Sequence, residues 1–126
     1  KHMSERRKKI LIVDDEKELC KVISWDFEDA GFEVIQANGG IEAFKILQED
    51  QFDIVLSDIK MPKGDGVELL RNISEQDIHM KAFFLMTGYA DYPEKTLIDL
   101  GMTKLFQKPI DTDDVIEFIQ KEIIRK

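Results

Sequence analysis

The sequence predicts an α/β protein, built as a single doubly wound (βα)5 domain around a five-stranded parallel sheet. Short apolar runs alternate five times with segments whose apolar residues recur at helical spacing. Neither internal repeats nor a low-complexity linker interrupts this alternation. Two of the apolar runs lead straight into carboxylates, at the edge where open α/β sheets place their chemistry. Alternation of this kind requires parallel strands with right-handed crossovers and helices on both faces.

The predicted strands differ in their hydrophobic pattern. The first, third and fourth are continuous apolar runs, which is typical of parallel strands buried on both faces. The second alternates between apolar and polar residues and precedes a turn at Asn38-Gly39-Gly40. In chain order the strands are predicted at residues 10–13, 32–37, 54–58, 82–86 and 105–107.

The predicted helices follow the strands one by one. The first ends at Gly31, and its apolar arc includes Asp26 at the rim, whereas Trp25 projects to the opposite side. The last begins from a cap at Asp111 or Thr112. The fourth is predicted around residues 94–100. The first, second, third and fifth helices are each defined by a set of apolar residues. In that order the sets are Leu19, Val22, Ile23, Phe27 and Ala30; Ala43, Phe44, Ile46 and Leu47; Val67, Leu69, Leu70 and Ile73; and Val115, Phe118, Ile119 and Ile123.

Length, composition and charge exclude several classes of protein. The chain has 126 residues, 43% of them apolar and 35% charged, and is expected to form one folded domain. It has no secretory signal, and no apolar run approaches the roughly 18 residues that span a membrane, so we expect a cytoplasmic protein. A single cysteine, Cys20, excludes an internal disulfide and leaves too few ligands for zinc. The net charge of −8 predicts repulsion from nucleic acid and anionic membranes.

The first seven residues are interpreted as a flank, and residues 8–126 as the domain. Lys1-His2-Met3 has the appearance of an expression-vector remnant. The basic cluster at residues 6–9 has two interpretations, a solvated flank or a nucleic-acid-binding arm. Four cations on an acidic domain favour the solvated flank.

Functional side chains stand at the ends of four predicted strands. Asp14 and Asp15 follow the first strand, Asp58 ends the third, Thr87 follows the fourth and Lys108 follows the fifth. Because the strands are parallel, these side chains are expected to meet at one edge of the sheet. Three neighbouring carboxylates raise one another's pKa, and a divalent cation removes that problem. Ligands that are all oxygen favour Mg²⁺, or Mn²⁺ in its place.

The same residues could hold a phosphoryl group on a carboxylate oxygen. A cation, the Lys108 ammonium and the Thr87 hydroxyl would together position it and neutralise its charge. Taken alone, Asp14 could be a helix N-cap, Asp58 a turn residue, Thr87 a strand-end hydroxyl and Lys108 a surface lysine. A single sheet edge explains all of them at once, which favours a shared chemical role.

These motifs resemble the signature of response-regulator receiver domains over residues 8–125. The resemblance rests on Asp14-Asp15-Glu16, on Asp58 followed by Met61-Pro62 and Gly64-Asp65-Gly66, on Thr87-Gly88, and on Lys108-Pro109. It implies a flavodoxin-like sheet in the order 2-1-3-4-5. It also implies a signalling phospho-acceptor rather than an enzyme, capable at most of self-phosphorylation from small donors and of autodephosphorylation.

The resemblance further implies how a metal ion and a phosphoryl group would bind. Asp58 would take the phosphoryl group from a phosphohistidine of a sensor histidine kinase or histidine phosphotransfer protein. Asp15, Asp58 and the backbone carbonyl of Lys60 would bind Mg²⁺ directly, and Asp14 would act through water.

The remaining residues of the signature would bind the phosphoryl oxygens. These are Thr87, Lys108 and the backbone N–H of Gly88, and the Lys108–Pro109 peptide bond would be cis. Phosphorylation would then rearrange the surface formed by the fourth helix, fifth strand and fifth helix. An output domain, a partner protein or a second copy of the chain would bind that surface.

The chain departs from the family pattern at one position. The residue three before the lysine is usually aromatic, but here it is Leu105, and strand alternation points the adjacent Phe106 to the other face. Tyr89 is a hypothetical substitute for the missing aromatic. The interval from Thr87 to Lys108 is one residue shorter than usual, so a short fourth helix is expected. Lys60 and Tyr89 are expected to modulate the lifetime of the aspartyl phosphate.

Rival functions fit the sequence less well. A phosphatase of the haloacid-dehalogenase type needs a second acid two residues after its nucleophile, where Lys60 stands. Nucleotide or flavin binding needs a Gly-rich or hydroxyl-rich turn after the first strand, where two aspartates stand. The main alternative is a module of the same fold that binds proteins without being phosphorylated.

Overall fold

The computed structural model describes residues 7–88 and 93–124. Its strands are β1 (Lys9–Val13), β2 (Glu33–Ala37), β3 (Ile54–Asp58), β4 (Ala82–Thr87) and β5 (Lys104–Gln107). Its helices are α1 (Lys17–Asp29), α2 (Gly40–Glu49), α3 (Gly66–Glu75), α4 (Glu94–Asp99) and α5 (Thr112–Phe118). A π-helical segment, Ile119–Ile124, continues α5. Strands and helices alternate as predicted, and α4 is short, with only six residues.

The five strands form one parallel sheet in the order β2-β1-β3-β4-β5. This arrangement confirms the predicted fold class and strand order. Every residue of the central strands β3 and β4 is buried, because helices cover both faces of the sheet. The edge strands β2 and β5 are partly exposed. Since all five strands run in one direction, their carboxyl ends lie along one edge.

Side chains alternate between two apolar layers, one on each face of the sheet. Leu11 and Val13 of β1 face the layer that α2, α3 and α4 cover. Ile10 and Ile12 face the layer that α1 and α5 cover. The helices contribute Ala43, Leu47, Leu69, Leu70, Ile73 and Leu97 to the first layer, and Cys20, Ile23, Phe27, Val115 and Ile116 to the second.

The buried face of α1 is narrower than the sequence predicts. Val22 was expected on the apolar arc, but it is half exposed, and the buried residues are Cys20, Ile23, Ser24 and Phe27. Trp25 is 56% exposed, in agreement with its predicted outward position. A helix that packs on a sheet buries a stripe, and residues at the margin of that stripe remain in solvent.

Asp26, at the margin of α1, binds the start of α5. The Thr112 Oγ1 atom donates a hydrogen bond to Asp26 Oδ2, and both residues are half-buried. The cap of α5 is Asp111, whose Oδ1 atom accepts a hydrogen bond from the Asp113 N–H at 3.0 Å. The contact between Asp26 and Thr112 therefore joins two helices that lie on the same face of the sheet.

Leu105 and Phe106 of β5 face opposite sides of the sheet, as strand alternation predicts. Leu105 packs against the layer below α4. Phe106 packs between Phe84 of β4 and Phe118 of α5, with ring centroids 5.6 and 6.3 Å away. The Lys104 ammonium lies 5.4 Å from the centroid of the Phe118 ring. The aromatic side chain of β5 is therefore directed toward α5 and away from α4.

Candidate functional site

The strand ends bring together the residues that the sequence singles out. The Asp14 N–H donates to the Ala37 carbonyl at 3.1 Å, which extends the pairing of β1 with β2 up to Asp14. Asp58 is the last residue of β3. On the other side, the Lys108 N–H donates to the Thr87 carbonyl at 2.7 Å and fixes Lys108 beside the end of β4. The local backbone thus positions each side chain at one edge of the sheet.

Asp14, Asp15 and Asp58 form an acidic cluster at this edge. Each offers a carboxylate oxygen, and these oxygens lie within 4.8 Å of one another. Asp14 and Asp58 are both buried. Carboxylates this close repel one another strongly in a poorly hydrated environment. The cluster therefore needs a compensating positive charge.

Lys108 supplies part of that positive charge. Its Nζ atom donates a hydrogen bond to Asp58 Oδ2 at 3.0 Å and lies 3.6 Å from Asp14 Oδ2. Glu16 Oε1 is 3.8 Å from the same nitrogen. Burial alone would lower the pKa of Lys108. The hydrogen bond to Asp58 and the three surrounding acids outweigh this effect, so the pKa is raised and the ammonium stays charged.

Asp14 is only partly compensated. Its Oδ1 atom accepts a hydrogen bond from the Glu16 N–H at 3.0 Å. Its buried Oδ2 atom accepts none from the residues that the structure describes. Burial raises the pKa of the Asp14 carboxyl, and the charges of Asp58 and Glu16 raise it further, although the Glu16 N–H and Lys108 oppose them. A buried carboxylate oxygen without a donor, inside an all-oxygen cluster, fits a hard divalent cation such as Mg²⁺.

The other predicted site residues have the following positions. Thr87 is the last residue of β4 and is 2% exposed. Gly88 directly follows β4 and is exposed. Lys60 directly follows the buried Ile59 and is also exposed. The Lys108–Pro109 peptide bond is cis. Tyr89 lies outside the described residues, as do residues 1–6 of the flank.

Two features of the site were missed in the sequence. Glu16 belongs to the family signature, but its approach to Lys108 was not anticipated. Gly66 was noted in the sequence only as part of the family signature, with no packing role assigned to it. It begins α3, and a Cβ atom there would lie 2.3 Å from the Asp58 carbonyl oxygen. A glycine at the first position of a helix that has its own Asp cap, Asp65, is the signal that could have revealed this close packing.

The fold and the site together define a flavodoxin-like α/β domain with an acidic, cation-compatible cluster at the carboxyl edge of its sheet. The family model for the response regulator receiver domain matches residues 10–120. The chain belongs to this family, whose members are signalling phospho-acceptors of two-component systems rather than classical enzymes. No helix among the described residues is both long and apolar enough to cross a lipid bilayer.

Two curated relatives are similar over most of their own length. The response regulator receiver protein CpdR of Brucella abortus is 33% identical over 118 residues, which are 93% of this chain and 98% of CpdR. Sporulation initiation phosphotransferase F of Bacillus subtilis is 32% identical over 114 residues, which are 90% of this chain and 91% of the relative. Each alignment covers at least 90% of this chain, so the likeness concerns nearly the whole domain.

Two solved structures have the same fold. A CheY-like receiver domain protein from Methanospirillum hungatei superposes with a TM-score of 0.84 at 29% identity, over 93% of this chain and 94% of that chain. The response regulator TrrA of Thermotoga maritima, solved in complex with Mg²⁺-BeF, gives a TM-score of 0.80 at 27% identity, over 90% and 97%. The second structure shows that a protein of this fold binds magnesium together with a fluoride complex of beryllium.

Proposed function

We propose that this domain is a phosphorylation-controlled switch in which Asp58 accepts a phosphoryl group. The donor is the phosphohistidine of a sensor histidine kinase or a histidine phosphotransfer protein. The observation that carries the proposal is the 3.0 Å hydrogen bond from Lys108 to Asp58, next to the carboxylates of Asp14 and Asp15. A carboxylate nucleophile, a fixed ammonium and a cluster suited to a cation are the parts that phosphoryl transfer to aspartate requires.

The proposed metal ligands are Asp15, Asp58 and the Lys60 backbone carbonyl, with Asp14 acting through water. The Asp14 Oδ2 atom, buried and without a hydrogen bond among the described residues, supports this assignment. Mg²⁺ or Mn²⁺, when bound, neutralises charge on the carboxylates and on the incoming phosphoryl oxygens. The Mg²⁺-BeF complex of the Thermotoga relative is consistent with an ion at this edge of the sheet.

The residues of this chain would act on the phosphoryl group as follows. A bond forms between an Asp58 carboxylate oxygen and phosphorus, while the bond from phosphorus to the donor imidazole nitrogen breaks. Lys108 exchanges its contact with the free carboxylate for one with a phosphoryl oxygen. The Thr87 hydroxyl and the Gly88 N–H donate to the remaining oxygens, which draws the end of β4 toward the phosphoryl group.

The change at Thr87 would reach the surface formed by α4, β5 and α5. Thr87 pairs with Gln107 of β5 in the sheet, so movement of one strand end bears on the other. An output domain, a partner protein or a second copy of the chain would bind the altered surface. Leu105 occupies the switch position on this surface, and Tyr89 is the proposed substitute for its missing aromatic ring. We assign the function to residues 8–126, in the cytoplasm.

Mass spectrometry tests the proposal directly. Incubation with acetyl phosphate and Mg²⁺ should add about 80 Da, the mass of one phosphoryl group, to the wild-type protein. Asp58→Asn should show no gain, and Asp29→Asn, which alters an exposed acid at the end of α1, should gain the same mass as wild type. An unchanged wild-type mass with every donor would favour a binding module that works without phosphorylation.

Lys60 and Tyr89 are proposed to set how long the phosphoryl group stays on Asp58, because each stands two positions after a site residue in the sequence, Asp58 and Thr87 respectively. Decay of the labelled protein after removal of the donor measures this lifetime. Substitution of Lys60 or Tyr89 by alanine should change the decay rate, in a direction that the side chains alone do not determine. Decay rates equal to that of wild type in both variants would contradict the assignment.

A further inference from the structure

We propose that the N-terminus of α2 is a positioning element for the metal-binding loop, through close backbone contacts that only Gly39 and Gly40 permit. The loop comprises residues 59–65, between β3 and α3. It contains the Lys60 carbonyl, so the inference rests on the proposed function of the acidic cluster. No side chain of α2 was assigned to the site by the sequence or by the geometry.

Both ends of this loop are held by backbone hydrogen bonds. The Ile59 N–H donates to the Met86 carbonyl of β4 at 3.0 Å. The Gly66 N–H donates to the Ile59 carbonyl at 2.8 Å, which closes the loop on itself. These bonds fix where the loop begins and ends, but they leave its middle to be held by another element.

The middle of the loop is held by the first turn of α2. The Gly40 N–H donates to the Gly64 carbonyl at 2.8 Å, and the Ile41 N–H donates to the Lys63 carbonyl at 3.2 Å. The first N–H groups of any helix have no partner within the helix. Here they bind carbonyls of the loop, so one set of bonds caps α2 and fixes the loop.

The two glycines make this contact possible. A Cβ atom on Gly40 would lie 2.7 Å from the Gly64 carbonyl oxygen and 3.0 Å from its carbon. A Cβ atom on Gly39 would lie 2.6 Å from the Lys63 carbonyl oxygen. These neighbours are backbone atoms, which cannot rotate aside as a flexible side chain can. Any larger residue would therefore push the first turn of α2 away from the loop.

A displaced loop would misplace the Lys60 carbonyl relative to the Asp14, Asp15 and Asp58 cluster. Removing a group that orients a metal ligand typically weakens metal binding by about 10-fold to 100-fold. Gly40→Ala and Gly39→Ala should each weaken Mg²⁺ binding by at least about 10-fold. Neither substitution changes a ligand or a charge.

Titration calorimetry of Mg²⁺ into the full chain tests this, with thermal unfolding recorded in parallel. Gly31→Ala is the matched control. Gly31 has φ +98°, so alanine there is strained, but no atom lies within 4 Å of the added Cβ, and the residue follows the C-cap of α1, away from the loop. We expect Gly31→Ala to lower the melting temperature while keeping the wild-type Mg²⁺ affinity. Equal affinities in Gly40→Ala and wild type, or an equal loss in Gly31→Ala, would overturn the inference.

Amide hydrogen exchange in the wild-type protein gives a second readout that needs no variant to fold. Binding of Mg²⁺ should slow exchange of the Gly40 and Ile41 amides, since a fixed loop strengthens the bonds to Gly64 and Lys63. Unchanged exchange at both amides with saturating Mg²⁺ would contradict the inference, even if a variant failed to fold. A wild-type protein that bound no Mg²⁺ would instead refute the metal site of the proposed function.

Discussion

Asp14 carries a negative charge in a place where the folded protein solvates it poorly. Burial raises its pKa above the ordinary value of 3.8, so the folded state binds a proton more tightly than the unfolded state does. Stability therefore falls as the pH rises from about 4 through the raised pKa, and it stays lower at neutral pH. A group that destabilises the fold at the working pH is typical of a functional site.

The substitution Asp14→Asn tests whether the charge of Asp14 lowers the stability of the folded protein. It should raise the free energy of unfolding at pH 7 by about 1 kcal/mol, because it removes a charge whose oxygen lacks a donor. The gain should shrink as the pH falls through the raised pKa of Asp14, and it should vanish below the ordinary pKa of 3.8, where Asp14 of the wild-type protein is protonated in both states. Urea denaturation at several pH values measures it.

Asp29→Asn serves as the control for Asp14→Asn, since Asp29 is an exposed acid at the end of α1. It should change the free energy of unfolding by less than about 0.5 kcal/mol at every pH. A loss of stability in Asp14→Asn at pH 7 would contradict the claim that the buried charge of Asp14 destabilises the folded state.

The sequence was informative about single residues where chemistry depends on position in a strand. Asp14, Asp58 and Lys108 could be placed together because each follows an apolar run, and parallel strands end at one edge. The packing of Gly66 against the Asp58 carbonyl could not be placed in this way. It depends on how closely α3 approaches β3, which no local pattern encodes.

Among the elements, α1 and α5 are joined by the bond between Thr112 and Asp26. This bond explains an acid that hydrophobic patterning leaves at the margin of α1 without a role. A hydrogen bond to a charged group contributes about 1.5–3 kcal/mol when both partners are partly buried. The bond also positions the start of α5, only four residues after Lys108.

A double-mutant cycle of Asp26→Ala and Thr112→Val should give a coupling energy of about 1.5–3 kcal/mol, because each substitution removes one partner of the same bond. Urea denaturation of the four proteins measures it. The pair Asp26→Ala and Thr103→Val is the control, because the Thr103 Oγ1 atom accepts a hydrogen bond from the Phe83 N–H in a separate contact. The control pair should be additive, and equal coupling energies in the two cycles would contradict a specific link.

The types of the elements could be predicted, whereas their mutual contacts could not. Periodicity identifies α2 as a helix, and Asn38-Gly39-Gly40 as a turn, from neighbouring residues alone. Gly40 and Gly64 are 24 positions apart in the sequence. Their contact forms only when the whole fold is assembled. The π-helical segment that continues α5 has no counterpart in the apolar spacing, which is compatible with an ordinary helix.

At the scale of the whole molecule, the net charge of −8 is unevenly distributed. Three carboxylates are concentrated at one edge of the sheet. A divalent cation that binds there stabilises the folded state by mass action, by about 2.7 kcal/mol at 100 times its dissociation constant. Monovalent salt only screens the general repulsion between acids.

Addition of Mg²⁺ should therefore raise the melting temperature by several degrees, and NaCl of the same ionic strength should raise it less. In Asp58→Asn the excess effect of Mg²⁺ over NaCl should largely disappear, because one carboxylate of the acidic cluster has lost its charge. Calorimetric or fluorescence-dye melting curves measure the difference. Identical curves in the two salts for the wild-type protein would show that the cluster responds only to screening.

Trp25 can serve as an intrinsic fluorescence probe of this protein. It is the single tryptophan of the chain and is more than half exposed on α1. It lies eight residues beyond the start of that helix, or about 12 Å along its axis. Its emission should therefore be centred at long wavelength, and it should not change when a metal ion or a phosphoryl group binds at Asp58. A protein that covers α1 would shift this emission to the blue, so association on that face can be followed without any attached dye.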